Sequence, residues 1–168
     1  AYLESSVADV DVQVTLAVSG SDYGVCARLT DASNNLISIR SGASDYRIYK
    51  RVAGSFTQLG STVAVTSANG DVMKFTVNGS SLTLYQNGVS KVAATDSFNN
   101  TATKHGLRSN ADTTTRFDDF SITGIGGGGT DLTIQDATHA HSADSLTLTL
   151  GYTNLTIADA THGHAADN

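Results

Sequence analysis

The stretch VMKFTVNGSSLTLYQNGVSKV, residues 72–92, decides the fold. Apolar and polar residues alternate from Val72 to Val77 and again from Ser81 to Gln86, with the period of two that a strand shows when one face is buried. Asn78-Gly79 and Asn87-Gly88 interrupt this alternation, and such pairs favour two-residue hairpin loops in which both residues have positive φ. The stretch therefore predicts a meander of three antiparallel strands.

The same period of two recurs on both sides of this meander. It predicts further strands at Val10–Val18, Tyr23–Thr30, Leu36–Arg40, Tyr46–Val52, Phe56–Leu59 and Arg116–Thr123. Many short strands at this spacing are typical of sandwiches and barrels. Charged residues make up only 15% of the chain, and the helix formers Glu, Lys and Gln are scarce. The sequence predicts an all-β fold.

Charge and composition exclude several classes of function. The net charge is −6, and the ten Lys and Arg residues are scattered from Arg28 to Arg116, so no basic footprint for nucleic acid is expected. No apolar stretch approaches the roughly 20 residues that a membrane-spanning helix needs. The lone Cys26 lies in an alternating run and is predicted to be a half-buried structural thiol, with a reactive or interchain thiol as the alternative. Because the chain begins at Ala1 without Met, we expect it to be part of a longer or processed protein.

A run of glycines predicts the domain boundary. Four consecutive glycines, Gly126 to Gly129, lose too much backbone entropy to lie inside a strand, so residues 124–130 are predicted to form a flexible linker. Residues 1–123 precede it as the sandwich. In residues 131–168 the phrase Leu-Thr-Ile-x-Asp-Ala-Thr-His-x-His-x-Ala-Asp occurs twice, 23 residues apart, which predicts a C-terminal tail of β-repeats.

Each repeat carries a His-x-His pair. In an extended segment residues i and i+2 share a face, so each pair can direct two imidazoles to one point, and neutral imidazole is the commonest protein metal ligand. Two ligands do not make a tight site, so two stacked repeats, or repeats from three chains, would have to complete a zinc, iron or nickel site. The alternative is a hydrogen-bonded repeat loop without metal. The candidate ligands are His139, His141, His162 and His164, with Asp136 and Asp159.

A family resemblance covers the sandwich. The residues that carry it are Asp22–Val25, Asp45–Tyr49, Lys74–Gly79, Leu82–Val89, Gly106–Arg108 and Phe117–Ile122. Through them the stretch from Asp9 to Thr123 resembles the concanavalin A-like lectin and glucanase superfamily, in its laminin-G-like or extracellular glucanase-like branch. The resemblance implies an antiparallel jelly-roll β-sandwich, glycans as ligands and calcium as a cofactor. The usual first strand of that superfamily is expected to be absent before Ala1, so another segment would complete the sheet.

Candidate glycan-binding residues follow from this resemblance. They are Tyr23, Tyr46, Tyr49 and Tyr85, with Asp118 and Asp119 as a candidate calcium edge. The alternative for each tyrosine is half-buried packing on a strand, and the alternative for the two aspartates is a charged turn. There is no Trp for stacking against sugars.

No catalytic constellation is expected. Glucanases of the superfamily use a Glu-x-Asp-x-Glu cluster, and glycoside hydrolysis needs two carboxyls that flank the bond, but the only Glu is Glu4. No Gly-x-Ser-x-Gly elbow occurs, and the only histidine of the sandwich is His105, in the turn-like stretch Lys104–Gly106. The sequence predicts a protein that is not an enzyme.

Two functions remain open. The repeats resemble short repeats of phage virion proteins and bacterial surface proteins, which implies an extracellular, cell-surface or virion location. The first hypothesis is therefore a structural subunit of a fibre, tail or capsid surface, a homo-oligomer or filament formed by β-strand exchange or stacking. The alternative is a carbohydrate-binding adhesin or lectin module.

The metal hypothesis predicts a measurable metal content. In protein that has never met a nickel column, elemental analysis is expected to find zinc, iron or nickel, because the imidazole pairs supply the ligands. Replacing His139 and His141 together by Ala should remove it. Metal-free protein that still assembles fully contradicts the hypothesis.

Overall fold

The computed structural model describes residues 2–41, 44–109 and 114–125, with the side chains of residues 37–41 left aside. The linker was predicted to begin at residue 124, but Gly124 still belongs to the last strand and Ile125 N donates to Asp9 O at 2.9 Å. The rest of the predicted linker, residues 126–130, and the His-x-His repeats lie outside the described residues. Eleven strands and no helix occur within this part of the chain. They are β1 (Tyr2–Glu4), β2 (Val10–Val18), β3 (Tyr23–Asp31), β4 (Asn34–Ser41), β5 (Asp45–Val52), β6 (Ser55–Ala64), β7 (Val72–Asn78), β8 (Ser81–Gln86), β9 (Val89–Thr95), β10 (Lys104–Ser109) and β11 (Arg116–Gly124).

The strands form two antiparallel sheets. The six-stranded sheet has the order β1-β10-β3-β4-β5-β6, and the five-stranded sheet has the order β11-β2-β7-β8-β9. This arrangement confirms the predicted all-β fold, an antiparallel sandwich. No helix in the described residues is long and apolar enough to cross a membrane.

Alternation along the strands builds the core. In β2 the residues Val10, Val12, Val14 and Leu16 are fully buried, while the residues between them are half-exposed. The inward residues of β7 and β8 follow the same pattern. They meet the inward residues of the six-stranded sheet in one continuous cluster between the sheets. The period of two in the sequence therefore marks the buried faces correctly.

The meander that decides the fold forms as predicted, with one difference in loop position. Asn87 and Gly88 both have positive φ, 51° and 78°, as a two-residue loop between β8 and β9 requires. Between β7 and β8, Asn78 still pairs with Ser81, so the loop is Gly79 and Ser80. Only Gly79 has positive φ there, because this loop places its glycine first.

Strand β10 was missed because its sequence looks like a turn. The stretch Lys104–Gly106 belongs to β10, and His105 is fully buried in it. The prediction of a turn at this place is wrong. Gly106 pairs with Cys26 at a point where the register of β10 and β3 shifts, so the glycine marks an irregularity inside a strand.

A bulge in β3 changes which face its residues occupy. Val25 and Ala27 join the core between the sheets, and strict alternation would add Leu29 to them. Instead Arg28 takes a positive φ of 52°, and the register with β4 shifts after Ala27. Leu29 consequently clusters with Cys26, apart from the main core. The bulge thus gives the outer side of the sheet an apolar floor.

Gly60 closes the side of the sandwich where the edge strands β6 and β9 approach each other. It has a φ of +70°, and a Cβ at this position would lie 2.6 Å from the carbonyl oxygen of Ala93. Gly70 has a similar φ of +88°, but a Cβ there would meet nothing within 4 Å. Both glycines relieve backbone strain, and only Gly60 also permits a close approach.

This difference predicts unequal costs for two alanine substitutions. Gly70→Ala should lower the free energy of unfolding by about 1–2 kcal/mol, the cost of a left-handed L-residue. Gly60→Ala should lower it by about 1–3 kcal/mol more, because the backbone must also shift to relieve the contact. Urea unfolding of both variants measures the two losses. Equal losses would show that the approach of β6 to β9 does not constrain the fold.

Candidate functional site

A groove of about 470 Å³ lies on the outer face of the six-stranded sheet. Its volume falls within the roughly 300–1,000 Å³ that is typical of small-molecule sites. All six strands of the sheet (β1, β3, β4, β5, β6 and β10) and the turn between β3 and β4 contribute to it. The lining residues are Tyr2, Cys26, Leu29, Ala32, Asn35, Arg51, Phe56, Leu107, Arg108 and Ser109.

The floor of the groove is apolar and chemically inert. Cys26 and Leu29 are buried there and pack with the half-buried Tyr49. Burial raises the pKa of the Cys26 thiol to about 12, so it stays protonated at neutral pH and is not a nucleophile. The side chain was predicted to be half-buried, and the structure buries it more completely, with 6% exposed.

Phe56 is the exposed aromatic side chain of the groove. A two-residue loop, Ala53-Gly54, joins β5 to β6 with both residues at positive φ, and Arg51 lies directly opposite Phe56 across the hairpin. The Phe56 ring meets Tyr49 edge to face at a centroid distance of 5.9 Å. It nevertheless stays 45% exposed, so the ring is held in place while one surface remains open to a ligand.

Two guanidinium groups lie against this ring. The Cζ atom of Arg51 is 4.9 Å from the centroid of Phe56, and that of Arg108 is 5.9 Å from it. Arg51 is fixed further, since its Nη1 donates to Ala32 O at 2.6 Å and its Nε donates to Gly54 O at 3.3 Å. Stacked guanidinium groups keep their in-plane N–H groups available as donors.

Asn35 adds a buried acceptor to the groove lining. It is 2% exposed, and its Nδ2 donates to the carbonyl oxygens of Asp31 and Ala32. Its Oδ1 has no hydrogen-bond partner among the described residues. A buried polar atom without a partner costs free energy, so a donor from a ligand would stabilise this arrangement.

The predicted glycan-binding tyrosines do not come together. Tyr23 and Tyr46 are fully buried in the core between the sheets, where packing accounts for both. Tyr49 lies on the outer side and supports Phe56. Tyr85 is half-buried in the five-stranded sheet, with Lys74 Nζ 4.8 Å from its ring centroid. Only Tyr49 therefore touches the groove residues.

Asp118 and Asp119 lie at the edge of the five-stranded sheet. Both are exposed within β11, where the register shifts between Asp118 and Ser121, and Asp119 has a φ of 48°. They form a bulged stretch of strand instead of a turn between strands. No three His, Cys, Asp or Glu side chains of the described residues gather closely enough to hold a metal ion. The calcium site stays a prediction.

Asp9 and Asp11 are engaged in separate ion pairs. Asp9 Oδ1 lies 2.5 Å from Arg28 Nη2, while Asp11 Oδ2 lies 3.2 Å from Lys74 Nζ. Asp11 also accepts a hydrogen bond from Thr76. Each carboxylate therefore has its own cationic partner.

His105 belongs to a buried polar cluster. Its Nδ1 accepts from the backbone N–H of Arg28 at 3.3 Å, so its Nε2 carries the proton and donates to Val7 O at 2.9 Å. Both ring nitrogens are thus hydrogen-bonded to backbone groups. Burial, reinforced by the nearby charge of Arg28, lowers the pKa of the imidazole from its usual 6.5.

The groove residues were missed because no motif marks them. Arg51 opposite Phe56 could have been found, since Ala53-Gly54 between two strand patterns indicates a two-residue hairpin. Tyr2 and Arg108 could not, because β1 and β10 join the sheet through pairings with distant parts of the chain. Register across such long connections is not encoded locally.

Two solved structures share this fold. The carbohydrate binding module CBM66 from Bacillus subtilis has a TM-score of 0.56 and 14% identity, over 73% of this chain and 76% of that one. A mutant of the GH43 protein BlXynB from Bacillus licheniformis has a TM-score of 0.52 and 13% identity, over 70% of this chain and only 27% of that one. No protein-family model and no curated sequence matches the chain. The likeness shows a β-sandwich fold.

The lowered pKa of His105 predicts that stability depends on pH. The unfolded imidazole binds a proton below its usual pKa of about 6.5, and the folded one resists it. The free energy of unfolding should therefore be largest above that pH and fall as the pH drops toward the lower folded pKa. The slope should be at most about 1.4 kcal/mol per pH unit. Urea unfolding between about pH 7.5 and pH 5.5 measures it.

His105→Gln serves as the comparison, since glutamine can offer an acceptor and a donor but does not titrate. The variant should lose most of the slope in this pH range. If it keeps the full slope, another group carries the dependence and the account of the cluster is wrong.

Proposed function

We propose that the sandwich is a carbohydrate-binding module that holds a glycan in the groove on the outer face of the six-stranded sheet. The observation that carries this proposal is the exposed ring of Phe56, fixed by Tyr49 and flanked by two guanidinium groups. The likeness to the carbohydrate binding module of Bacillus subtilis supports the same class of function.

The groove offers the chemistry that a sugar needs. The C–H face of a sugar ring packs against an aromatic ring, and Phe56 and Tyr2 are 45% and 60% exposed. Hydroxyl groups need both donors and acceptors in a few fixed positions. The arginines supply donors, and the hydroxyl groups of Tyr2 and Ser109 on the lining can accept as well as donate.

Binding without hydrolysis fits the groove better than catalysis. Within the part of the chain that the structure describes, no Asp or Glu lines the groove, whereas glycoside hydrolysis generally uses two carboxyls on either side of the bond. A module of this kind acts by keeping a surface or a larger protein close to its glycan. An extracellular or cell-surface location follows from this role and forms part of the proposal.

Assembly into a fibre or virion structure is the second candidate function. The observation that favours it is the edge of the six-stranded sheet, where β1 has three residues and leaves Tyr2 and Leu3 60% and 57% exposed. An exposed edge can accept a strand from another chain. Light scattering at high concentration should then find oligomers, and a monomer at all concentrations rules this function out.

For the carbohydrate-binding function, Phe56→Ala should lower the affinity for the glycan at least about tenfold, because aromatic anchors in a pocket dominate such binding. The ligand is first found on an array of oligosaccharides, and calorimetry on the full chain then measures the affinity. Tyr85→Ala is the matched control, since it removes an aromatic ring stacked with a cation from the other sheet.

The two variants separate the two outer faces. Loss of binding in Phe56→Ala, with Tyr85→Ala unchanged, supports the groove. The reverse result places the glycan on the five-stranded sheet and overturns the site. A chain that binds no oligosaccharide, with or without calcium, overturns the function itself.

A further inference from the structure

We infer that the groove selects saccharides that carry a negative charge, a carboxylate or a sulfate, and that Arg51 and Arg108 recognise this group. The inference rests on the proposed carbohydrate-binding function and names the class of its ligand. It is carried by the charge of the groove, by the lack of any ion pair that would cancel this charge, and by the geometry of the two guanidinium groups.

All the charge on the described part of the groove lining is positive. Arg51 and Arg108 are the only charged residues among the lining residues that the structure describes. Lys104 adds a further cation at the rim, with its Nζ 5.7 Å from the ring centroid of Tyr2. The Cys26 thiol on the floor stays neutral because burial raises its pKa to about 12. No acid on the lining offsets the two guanidinium groups.

The ion pairs of the described residues lie elsewhere. They join Arg28 to Asp9, Arg47 to Asp45, Lys50 to Asp96, and Lys74 to Asp11. Asp31 is the acidic residue near Arg51. Hydrogen bonds from Asn34 and Ser33 lower the pKa of its carboxyl, and the charge of Arg51 adds to this effect. The oxygens of Asp31, however, accept from Ser33 and Asn34, and Arg51 donates to backbone carbonyls instead.

Arg108 is the freer of the two groups. Among the described residues, the guanidinium group of Arg108 contacts the ring of Phe56 and makes no hydrogen bond or ion pair. A guanidinium group presents a planar fork of donors that matches a carboxylate in two parallel hydrogen bonds. A sugar ring packed on Phe56 would carry its acidic substituent next to this fork.

The net charge of the chain does not oppose this selection. Five of the sixteen acidic residues follow position 130, and none of the ten basic residues does. Residues 1–130 therefore hold eleven acidic and ten basic residues and are close to neutral. Because charges more than about 10 Å away are largely screened at 0.1 M salt, the local arginines determine the field that a bound sugar meets.

An oligosaccharide array with three groups of ligands tests the inference on the full chain. The groups are neutral gluco-, manno- and fructo-oligosaccharides, oligogalacturonates together with their methyl esters, and sulfated disaccharides together with their unsulfated forms. The esters and unsulfated forms keep the sugar and remove the charge. The expected result is retention of an acidic ligand and loss of at least about tenfold in affinity when its charge is removed.

Variants of the arginines complete the test. Arg108→Gln should weaken acidic ligands at least about tenfold, because a charge-assisted hydrogen bond is lost. Arg108→Lys keeps the charge but loses the fork, so it should restore part of the affinity for a sulfate and less of that for a carboxylate. Arg116→Gln, on an exposed arginine of β11, is the matched control and should leave binding unchanged.

The outcomes also separate this inference from the proposed function. Retention of neutral sugars only, lost in Phe56→Ala and unaffected by Arg108→Gln, overturns the charge selection and leaves the carbohydrate-binding function standing. Retention of carboxylates or of sulfates, dependent on Arg108, supports the inference and tells the two sources of charge apart. Retention of acidic sugars that Arg108→Gln does not weaken overturns it. Retention of nothing overturns the function as well.

Discussion

The ion pair between the buried guanidinium of Arg28 and Asp9 is the interaction on which the rest of the structure depends. The Arg28 side chain is fully buried, its Nη2 lies 2.5 Å from Asp9 Oδ1, and its Nε donates to Ala8 O. The Asp9 side chain is 34% exposed, so its removal would leave the buried guanidinium, and not the carboxylate, as a charge without compensation. The pair joins β3 of one sheet to the segment that enters β2 of the other. The backbone N–H of Arg28 also fixes the tautomer of His105 on the neighbouring strand.

The same residue determines what the outer face of the sheet looks like. Its positive φ shifts the phase of β3, so that Leu29 joins Cys26 under the groove instead of entering the main core. Above this floor, two neighbouring hairpin tips are tied together. Gly54 N donates to Ser33 O at 3.0 Å, and Ala53 N donates to Asn34 Oδ1 at 2.9 Å. Phe56, just past these tips, is thereby presented from a rigid support.

The sequence contains enough to predict the architecture but only part of the site. Period-two alternation predicts the buried faces of β2, β7 and β8, because these strands are regular and half-buried. It fails at Arg28, since a charged residue in an alternating strand reads as an outward position and nothing local indicates that Asp9 would accept it inside. It fails at His105 for a related reason, because the partners of its ring come from Arg28 and Val7, far away in the sequence. The groove depends on both irregularities, and so its floor could not be derived from periodicity.

The most direct test of the central claim is a map of backbone amide shifts during titration with a bound oligosaccharide, recorded by NMR on the full chain. A glycan in the groove should shift the amides of Ala32–Asn35, Arg51–Phe56 and Leu107–Ser109 and leave those of β7 and β8 unchanged. Shifts confined to the five-stranded sheet, or to residues 131–168, would contradict the account.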